Sequence, residues 1–415
     1  MQIANVDTLI AHVLIPNAIR LYTPFIAHMQ QIESEFGHEA TVTEFGGLEI
    51  QYYPERTTSH WHAFKIWIPS ESTQAVSIEF RIYDREQKEE SKQWPIEVVF
   101  RSSTCWSLPF RELWEWTIQI LQSLVSTSVP LETILSRVSR IDVAVDTDTL
   151  QFQEEDRNRF TSRARYQANY GESQCYSEDF GDIDSEEVSN MVETATYHRG
   201  SECTGFVFGK GSLLARIYNK WFEITKSHSY KNDKQFFAGI WKQAGWNIEK
   251  DVWRIEFQLR REALHEFKEA NTQRTYAEMS VPETVEKIAA IFPYLMLEWL
   301  TYRTPTRDKN KAKWPIDPHW KQMVEQFEKY YGISERHPLT PQFNPVHLAK
   351  SLKGYLSAYA VAIGESSSLR LFEHLSALLT ESLELKDTEL FEVLDTQIQT
   401  KAKLHGIRLY EPDEN

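Results

Sequence analysis

Three segments of this chain share a pattern that limits how they can fold, because apolar and polar residues alternate along each of them. They are RIDVAVD at residues 140–146, ARIYNK at 215–220 and WRIEFQLR at 253–260. Side chains of a β-strand point alternately to its two faces, so each segment predicts a strand with one apolar and one polar face. If the three are neighbours with their apolar faces on a helix layer, the opposite surface of the sheet is charged.

Carboxylates are the first feature of this charged surface. Asp142 and Asp146 lie on the polar face of the first segment, and Glu256 lies on that of the third. Mg²⁺ and Mn²⁺ prefer carboxylate oxygens, and such an ion can polarise a phosphodiester. The pattern therefore predicts a divalent-metal site, although acid–base pairs across half-exposed strands are also common without any chemistry.

Tyr218 is the second feature, because it lies between Arg216 and Lys220 on the polar face of the middle segment. A phenol with a pKa of about 10 needs a nearby cation or metal before it can act as a nucleophile. We expect Arg216 and Lys220 to favour the phenolate or to bind a phosphate. Tyrosine is also a frequent strand residue, so a purely structural role stays open.

Two rival sites occur earlier in the chain. RIYDR contains Tyr83 in the same local pattern, but this segment precedes the aspartate-bearing strand and lacks a matching flank, which favours Tyr218. His60 and His62 in HWHAF would share a strand face, an arrangement that resembles a metal-binding His-hydrophobic-His strand. They lack a Tyr-x-x-Lys helix partner, which favours ordinary surface histidines.

The remaining segments predict an α+β fold. Residues 43–104 contain four alternating segments typical of consecutive antiparallel strands, GLEIQYY, HWHAFKIWI, VSIEFRIYD and IEVVFRSS. FRELWEWTIQILQSLVS is an amphipathic helix pattern, and residues 1–35 show helical periodicity interrupted at Pro16 and Pro24. We expect an antiparallel sheet with helices mainly on one face, plus a C-terminal helical domain. The predicted domains are residues 1–330, with a β-rich part at 43–104, and residues 331–415.

The net charge of −15 argues at first against a nucleic-acid partner. Residues 172–193 alone hold eight acids and no lysine or arginine, and they predict a solvated loop. The basic segment YRTPTRDKNKAKW, residues 302–314, has the opposite character. DNA binding is therefore compatible with the charge, and the candidate contact residues are Arg140, Arg254, Arg303, Arg307, Lys309, Lys311 and Lys313.

Cysteine and leader patterns favour the cytoplasm. The three cysteines lack the spacing of a zinc site and suit free thiols in a reducing compartment. The chain opens without a basic and then apolar leader, so we expect no signal peptide. The most apolar run, IAAIFPYLMLEWL, carries Pro293 and Glu298 and predicts a buried helix instead of a membrane span.

Several segments in order resemble the replication initiation factor family, which includes rolling-circle plasmid initiators and related relaxases of integrative conjugative elements. They are SRIDVAVD, GFVFGKGSLLARIYNKWFE and WRIEFQLRR, followed by LTYRTPTRDKNKAKWPIDPHWKQM, which looks like the tail of that family. The resemblance covers residues 95–325. The acidic segment 172–193, the N-terminal β-rich part and the C-terminal helices depart from the family pattern.

The resemblance implies a sequence-specific enzyme that nicks and rejoins DNA through a phosphotyrosine and starts rolling-circle replication or transfer of a mobile element. It implies Tyr218 as nucleophile and Mg²⁺ or Mn²⁺ held by the three carboxylates. The implied partners are origin DNA, double-stranded or extruded as a single strand, and a host helicase. Two alternatives stay open, a non-catalytic origin-binding protein of the same fold and a metal-dependent nuclease that activates water.

Overall fold

The computed structural model of the chain describes residues 1–15, 18–69, 76–85, 94–125, 129–163, 194–199, 202–226, 236–327, 329, 332–337, 345–364, 367, 370–375, 377 and 394–398. The chain divides into two compact units, Met1–His337 and Pro338–Asn415. The predicted acidic loop at 172–193, including Cys175, lies outside the described residues, and so does much of the predicted C-terminal bundle.

Among the described residues, fifteen strands have the following bounds: β1 Gln2–Leu14, β2 Val42–Phe45, β3 Leu48–Tyr52, β4 Trp61–Ile68, β5 Val76–Tyr83, β6 Ile96–Phe100, β7 Leu135–Thr147, β8 Phe160–Ser162, β9 Thr194–Arg199, β10 Glu202–Lys210, β11 Leu213–Asn219, β12 Trp253–Arg260, β13 Phe267–Glu269, β14 Leu300–Tyr302 and β15 Ser334–Arg336. Eleven of them form one sheet in the order β2-β3-β4-β5-β6-β1-β7-β12-β11-β10-β9. Its neighbouring strands are antiparallel throughout. The remaining strands pair as β13 with β15 and β14 with β8.

Helical periodicity was the wrong interpretation for the first residues of the chain. Gln2–Leu14 is strand β1, which lies at the centre of the sheet between β6 and β7. The pairing with β7 shifts its register between Val6 and Thr8, so the extra residue Asp7 interrupts the period of two. A strand that carries apolar residues such as Ile10 on its half-buried face as well as on its buried face, and that is interrupted by a bulge, gives no clean alternation, and the pattern is easily mistaken for a helix.

The described residues include the following helices: α1 Ala18–Phe36, α2 Ser102–Ser107, α3 Phe110–Ser123, α4 Lys220–Lys226, α5 Phe236–Gln243, α6 Arg261–Leu264, α7 Val281–Lys287, α8 Phe292–Tyr294, α9 Pro318–Glu325 and α10 Pro345–Ile363. The predicted amphipathic helix corresponds to α3. The α+β fold class, with an antiparallel sheet and C-terminal helices, is confirmed.

The main hydrophobic core lies between the apolar face of the sheet and the longer helices. Ile141, Ile217 and Ile255, on the three patterned strands, have no exposed surface. On the other half of the sheet, Phe64 packs edge-on against Phe25 of α1 with ring centroids 4.9 Å apart. Full burial of each large apolar side chain stabilises the fold by about 1.5–3 kcal/mol. Burial of this face therefore stabilises the packing of the helices on the sheet.

A smaller apolar cluster covers one end of the polar face. It consists of Ile224, Phe237, Trp241, Trp246 and Val252, which belong to α4, α5 and the approach to β12. Its aromatic rings pack closely, with Trp241 and Trp246 centroids 5.6 Å apart. Beyond this cluster, Arg140 and Arg216 keep 28% of their side chains exposed on the polar face.

The second unit contains α10, whose described side chains are mostly exposed. Within the part of the chain that the structure describes, no helix combines the length and apolarity needed to cross a bilayer.

Candidate active site

Three neighbouring strands, β7, β12 and β11, carry the predicted site, and their antiparallel register determines which side chains meet. Residues directly opposite one another share a face of the sheet. On the polar face the opposed pairs are Arg216–Glu256, Tyr218–Arg254, Arg254–Asp146 and Gln258–Asp142. The tyrosine and the three predicted carboxylates therefore lie on one side of one sheet.

Tyr218 makes the contact that most resembles a catalytic arrangement. Its hydroxyl donates a hydrogen bond to Oε2 of Glu256 at 3.0 Å. Lys220 begins α4 instead of continuing the strand, yet its Nζ donates to the same hydroxyl at 3.5 Å. This ammonium also pairs with Glu223 at 2.7 Å. The phenol thus lies between a carboxylate and an ammonium.

The surroundings of Tyr218 keep its hydroxyl protonated. Burial raises the pKa of the phenol well above its usual value, and the negative charge of Glu256 raises it further. Phenolate is therefore scarce at neutral pH, contrary to one role expected for Arg216 and Lys220. A nucleophile of this kind needs a base within about 2.6–3.2 Å, and Glu256 meets that condition.

Two arginines lie above the buried carboxylates. Arg216 donates to Glu256 Oε1 at 2.9 Å and to Gln258 Oε1 at 3.2 Å. Arg140 donates twice to Asp142, at 2.9 and 2.5 Å. Each arginine side chain is 28% exposed, whereas Glu256 is 7% and Asp142 is 2% exposed. A molecule approaching this face therefore meets the guanidinium groups first.

Arg254 and Asp146 have a structural role. Both oxygens of Asp146 accept hydrogen bonds from the Arg254 guanidinium, at 2.6 and 2.8 Å, and Trp241 donates to one of them at 2.9 Å. Arg254 also pairs with Asp7, and its side chain has no exposed surface. A guanidinium in this position cannot reach DNA, so the contact predicted for Arg254 is replaced by a buried ion-pair network.

The three carboxylates do not fit a shared metal site. Asp142 and Asp146 are four residues apart on one strand, which separates their Cα atoms by about 13 Å. Asp146 is saturated by its partners, and Glu256 binds Arg216 and Tyr218. Among the described residues, no group of three histidine, cysteine or acidic side chains is placed to hold an ion. Dependence on Mg²⁺ or Mn²⁺ stays a prediction for experiment.

The basic segment lies away from Tyr218. The Arg303 guanidinium donates a hydrogen bond to the carbonyl of Trp314, a residue of the same segment, at 2.6 Å. The preceding Trp299 packs on Phe257, with ring centroids 6.3 Å apart, on the face of the sheet opposite Tyr218. The other predicted DNA-contact cations of this segment are exposed, namely Arg307, Lys309, Lys311 and Lys313. They are available to a phosphate backbone, but the described contacts do not bring them to the tyrosine.

The two rival histidines have separate partners. His62 is buried, and its Nδ1 lies 2.6 Å from Glu33 of α1. His60 precedes β4 and lies 3.3 Å from Asp84. The two imidazole rings are therefore each paired with a different carboxylate.

Sequence reasoning missed Asp7 as part of this region, and it assigned no role to Gln258 or Glu223. Asp7 projects from the bulge in β1, and no signal marks it because that segment was interpreted as a helix. Gln258 follows from the same strand alternation as Glu256. Glu223 lies one helical turn after Lys220, a spacing that predicts their ion pair.

Comparison with known proteins adds little to this geometry. No known protein family profile matches the chain. No curated protein sequence matches it either. Among solved structures, the chain is similar to the rolling circle replication initiator protein of Geobacillus stearothermophilus, with a TM-score of 0.37 and 14% identity over 79% of this chain and 97% of that one. A likeness this distant carries no conclusion about the present chain.

Proposed function

We propose that this protein nicks and rejoins one strand of DNA through a phosphotyrosine on Tyr218, and so initiates rolling-circle replication or transfer of a mobile element. One observation carries the proposal, namely the 3.0 Å hydrogen bond from the Tyr218 hydroxyl to Glu256, with the Lys220 ammonium on the same oxygen. The resemblance of the surrounding segments to the replication initiation factor family supports it.

In the first step the Tyr218 oxygen attacks phosphorus and the bond from phosphorus to the 3′ oxygen breaks. The phenol proton passes to Glu256, which acts as general base because the tyrosine pKa is too high for a resting phenolate. The departing 3′ oxygen takes a proton from solvent. The 5′ phosphate stays on the enzyme, and a 3′-OH can later attack it to rejoin the strand.

The cations around the tyrosine suit the charge that develops on the phosphate. Lys220 lies at the attacking oxygen, and Arg216 is anchored to Glu256 with part of its surface open. Oriented cations in a partly dehydrated site stabilise such charge without reorganisation. Arg140 would extend the same row of cations over β7.

The test uses a single-stranded oligonucleotide carrying the native origin, with Mg²⁺, with Mn²⁺ or with a chelator. We expect wild type to nick it and to form an adduct that survives denaturation and maps to Tyr218. Tyr218→Phe and Glu256→Gln should bind the DNA but neither nick it nor form the adduct. Tyr83→Phe, the matched control on the other RIY strand, should behave as wild type.

The other outcomes select the alternatives. Nicking by wild type without an adduct would identify a nuclease that activates water. Specific binding without nicking would identify a non-catalytic origin-binding protein. An adduct on Tyr83 would show that the nucleophile is on the other RIY strand, and full activity in the chelator would remove the metal from the mechanism.

A further inference from the structure

The large sheet is built from two similar halves. Outward from its centre the strands run β1, β6, β5 and β4 on one side, and β7, β12, β11 and β10 on the other. The near-repeat of the sequence falls on equivalent strands, with RIYDR ending β5 and RIYNK ending β11. The two halves are thus related by an approximate twofold axis through the β1–β7 pair.

The register supports this equivalence residue by residue. Arg81 on β5 lies opposite Glu97 on β6, just as Arg216 on β11 lies opposite Glu256 on β12. In both halves the tyrosine follows two positions after the arginine, and a second cation follows two positions later. The N-terminal half therefore presents a counterpart of the Tyr218 site on the same face of the sheet.

The counterpart lacks the contact that would make it catalytic. The Tyr83 ring packs against Trp61, with centroids 4.9 Å apart. Glu97 instead accepts hydrogen bonds from Arg56 at 2.6 Å and from Arg81 at 3.4 Å. The described contacts therefore give Tyr83 no carboxylate base comparable to Glu256.

Its charge also differs from that of the Tyr218 site. A second buried carboxylate, Glu79, pairs with Arg56, Lys65 and Arg101, at 3.4, 3.6 and 3.1 Å. Four cations thus surround two acids, whereas near Tyr218 each of four cations has at least one acid of its own, the cations being Arg140, Arg216, Lys220 and Arg254. The cationic side chains are 18–36% exposed and the two acids lie below them.

The electrostatics of Glu97 agree with an excess of positive charge. Burial alone would raise the pKa of this carboxyl. The nearby His12 ring, 3.7 Å away, and the charges of Arg56 and Arg81 outweigh burial and lower the pKa to about 2. The acid therefore stays ionised at any working pH and remains paired with the guanidinium groups of Arg56 and Arg81.

An exposed aromatic ring lies beside these cations. Trp67 follows Lys65 by two positions on β4, so the two side chains share the polar face. The tryptophan is 46% exposed. A cationic surface with an accessible aromatic ring suits unpaired nucleotides, since the phosphates meet the cations and a base can stack on the ring.

We propose that the surface formed by Arg56, Lys65, Trp67, Arg81 and Arg101 is a second, non-cleaving site for single-stranded DNA, which holds another part of the strand that Tyr218 cuts. The proposal rests on the proposed nicking function. Five strand spacings separate β5 from β11, which places the two sites about 24 Å apart. One chain would then hold two parts of its substrate and cut only one.

The test measures the salt dependence of binding to a single-stranded oligonucleotide of about 30 nucleotides, which can occupy two sites of about 4–16 nucleotides each. Each phosphate contact on a single strand contributes about 0.7 to the slope of log Kd against log salt. The double variant Lys65→Gln/Arg101→Gln should lower this slope by about 1.4 and weaken binding at low salt by about tenfold. Its nicking rate at saturating DNA should be unchanged.

Two further variants serve as controls. Arg20→Gln/Arg111→Gln removes the same charge from exposed positions on α1 and α3, on the helix-covered face, and should keep the wild-type slope. Lys65→Arg/Arg101→Lys keeps the charge and should also keep the slope. The single variant Arg101→Gln, at the most exposed of the cations, serves if the double variant does not fold.

The outcomes separate this proposal from the nicking function. If wild type nicks DNA and the Lys65→Gln/Arg101→Gln variant keeps the full slope, the second site is refuted and the nicking function stands. A loss of slope in the charge-keeping variant would show that packing and not charge matters, which also refutes it. If wild type binds no DNA, both proposals fall.

Discussion

Gly205 offers a sensitive test of the geometry around Tyr218, because it lies directly opposite that residue on β10. A Cβ added to Gly205 would lie 2.5 Å from the carbonyl oxygen of Ile217 and 2.9 Å from Cβ of Tyr218. Both neighbours belong to β11, so the strand itself has to move by roughly 0.5–1 Å to accept a methyl group. That movement displaces the Tyr218 hydroxyl from Glu256.

The expected cost of Gly205→Ala follows from these distances. Overpacking of this kind lowers the free energy of unfolding by about 1–3 kcal/mol. A displacement of about 1 Å at a reacting group slows catalysis by about 100-fold. We therefore expect a folded variant that nicks the origin oligonucleotide about 100-fold more slowly at saturating DNA, with binding retained.

The assay is single-turnover nicking, with urea unfolding measured in parallel. Gly239→Ala is the matched control, since this glycine lies in α5 and a Cβ there would meet nothing within 4 Å. The control should keep the wild-type nicking rate and gain up to about 1 kcal/mol of stability from the better helix propensity of alanine. Wild-type nicking by Gly205→Ala would refute the placement of Tyr218 as the nucleophile.

Two further predictions concern the buried charges. Arg254→Gln leaves Asp146 and Asp7 buried without their cation, and it should lower the free energy of unfolding by about 3–5 kcal/mol in urea titration. Arg111→Gln, at a side chain that is 90% exposed, should change it little, and an equal effect of both variants would contradict the buried network. Glu97 has a pKa of about 2 in the folded protein against an ordinary 4.5. Its stabilisation is therefore present above pH 4.5 and lost as the pH falls through 2. Glu97→Gln should then cost about 3 kcal/mol at pH 7, with the gap from wild type closing in acid unfolding near pH 2; a gap independent of pH would contradict this reasoning.

Local patterns were enough to predict much of the sheet. Strict alternation in the segments that became β7, β11 and β12 indicated strands and separated their faces, since a period of two leaves little choice once one face is apolar. The same alternation indicated that Tyr218 and Glu256 belong to polar faces. It could not indicate β1, because a strand with apolar residues on both faces and a bulge at Asp7 has no clean period.

The roles within the polar face were decided by the tertiary structure. From the alternation alone, Asp142, Asp146 and Glu256 were equally good candidates for metal ligands. Arg254 and Arg140 were likewise equally good candidates for DNA contacts. Register and burial distinguish them, since Asp146 and Arg254 end up beneath the apolar cluster of α5, where each needs the other. Cross-strand register depends on contacts between segments far apart in sequence, and no local pattern encodes which side chains will face one another.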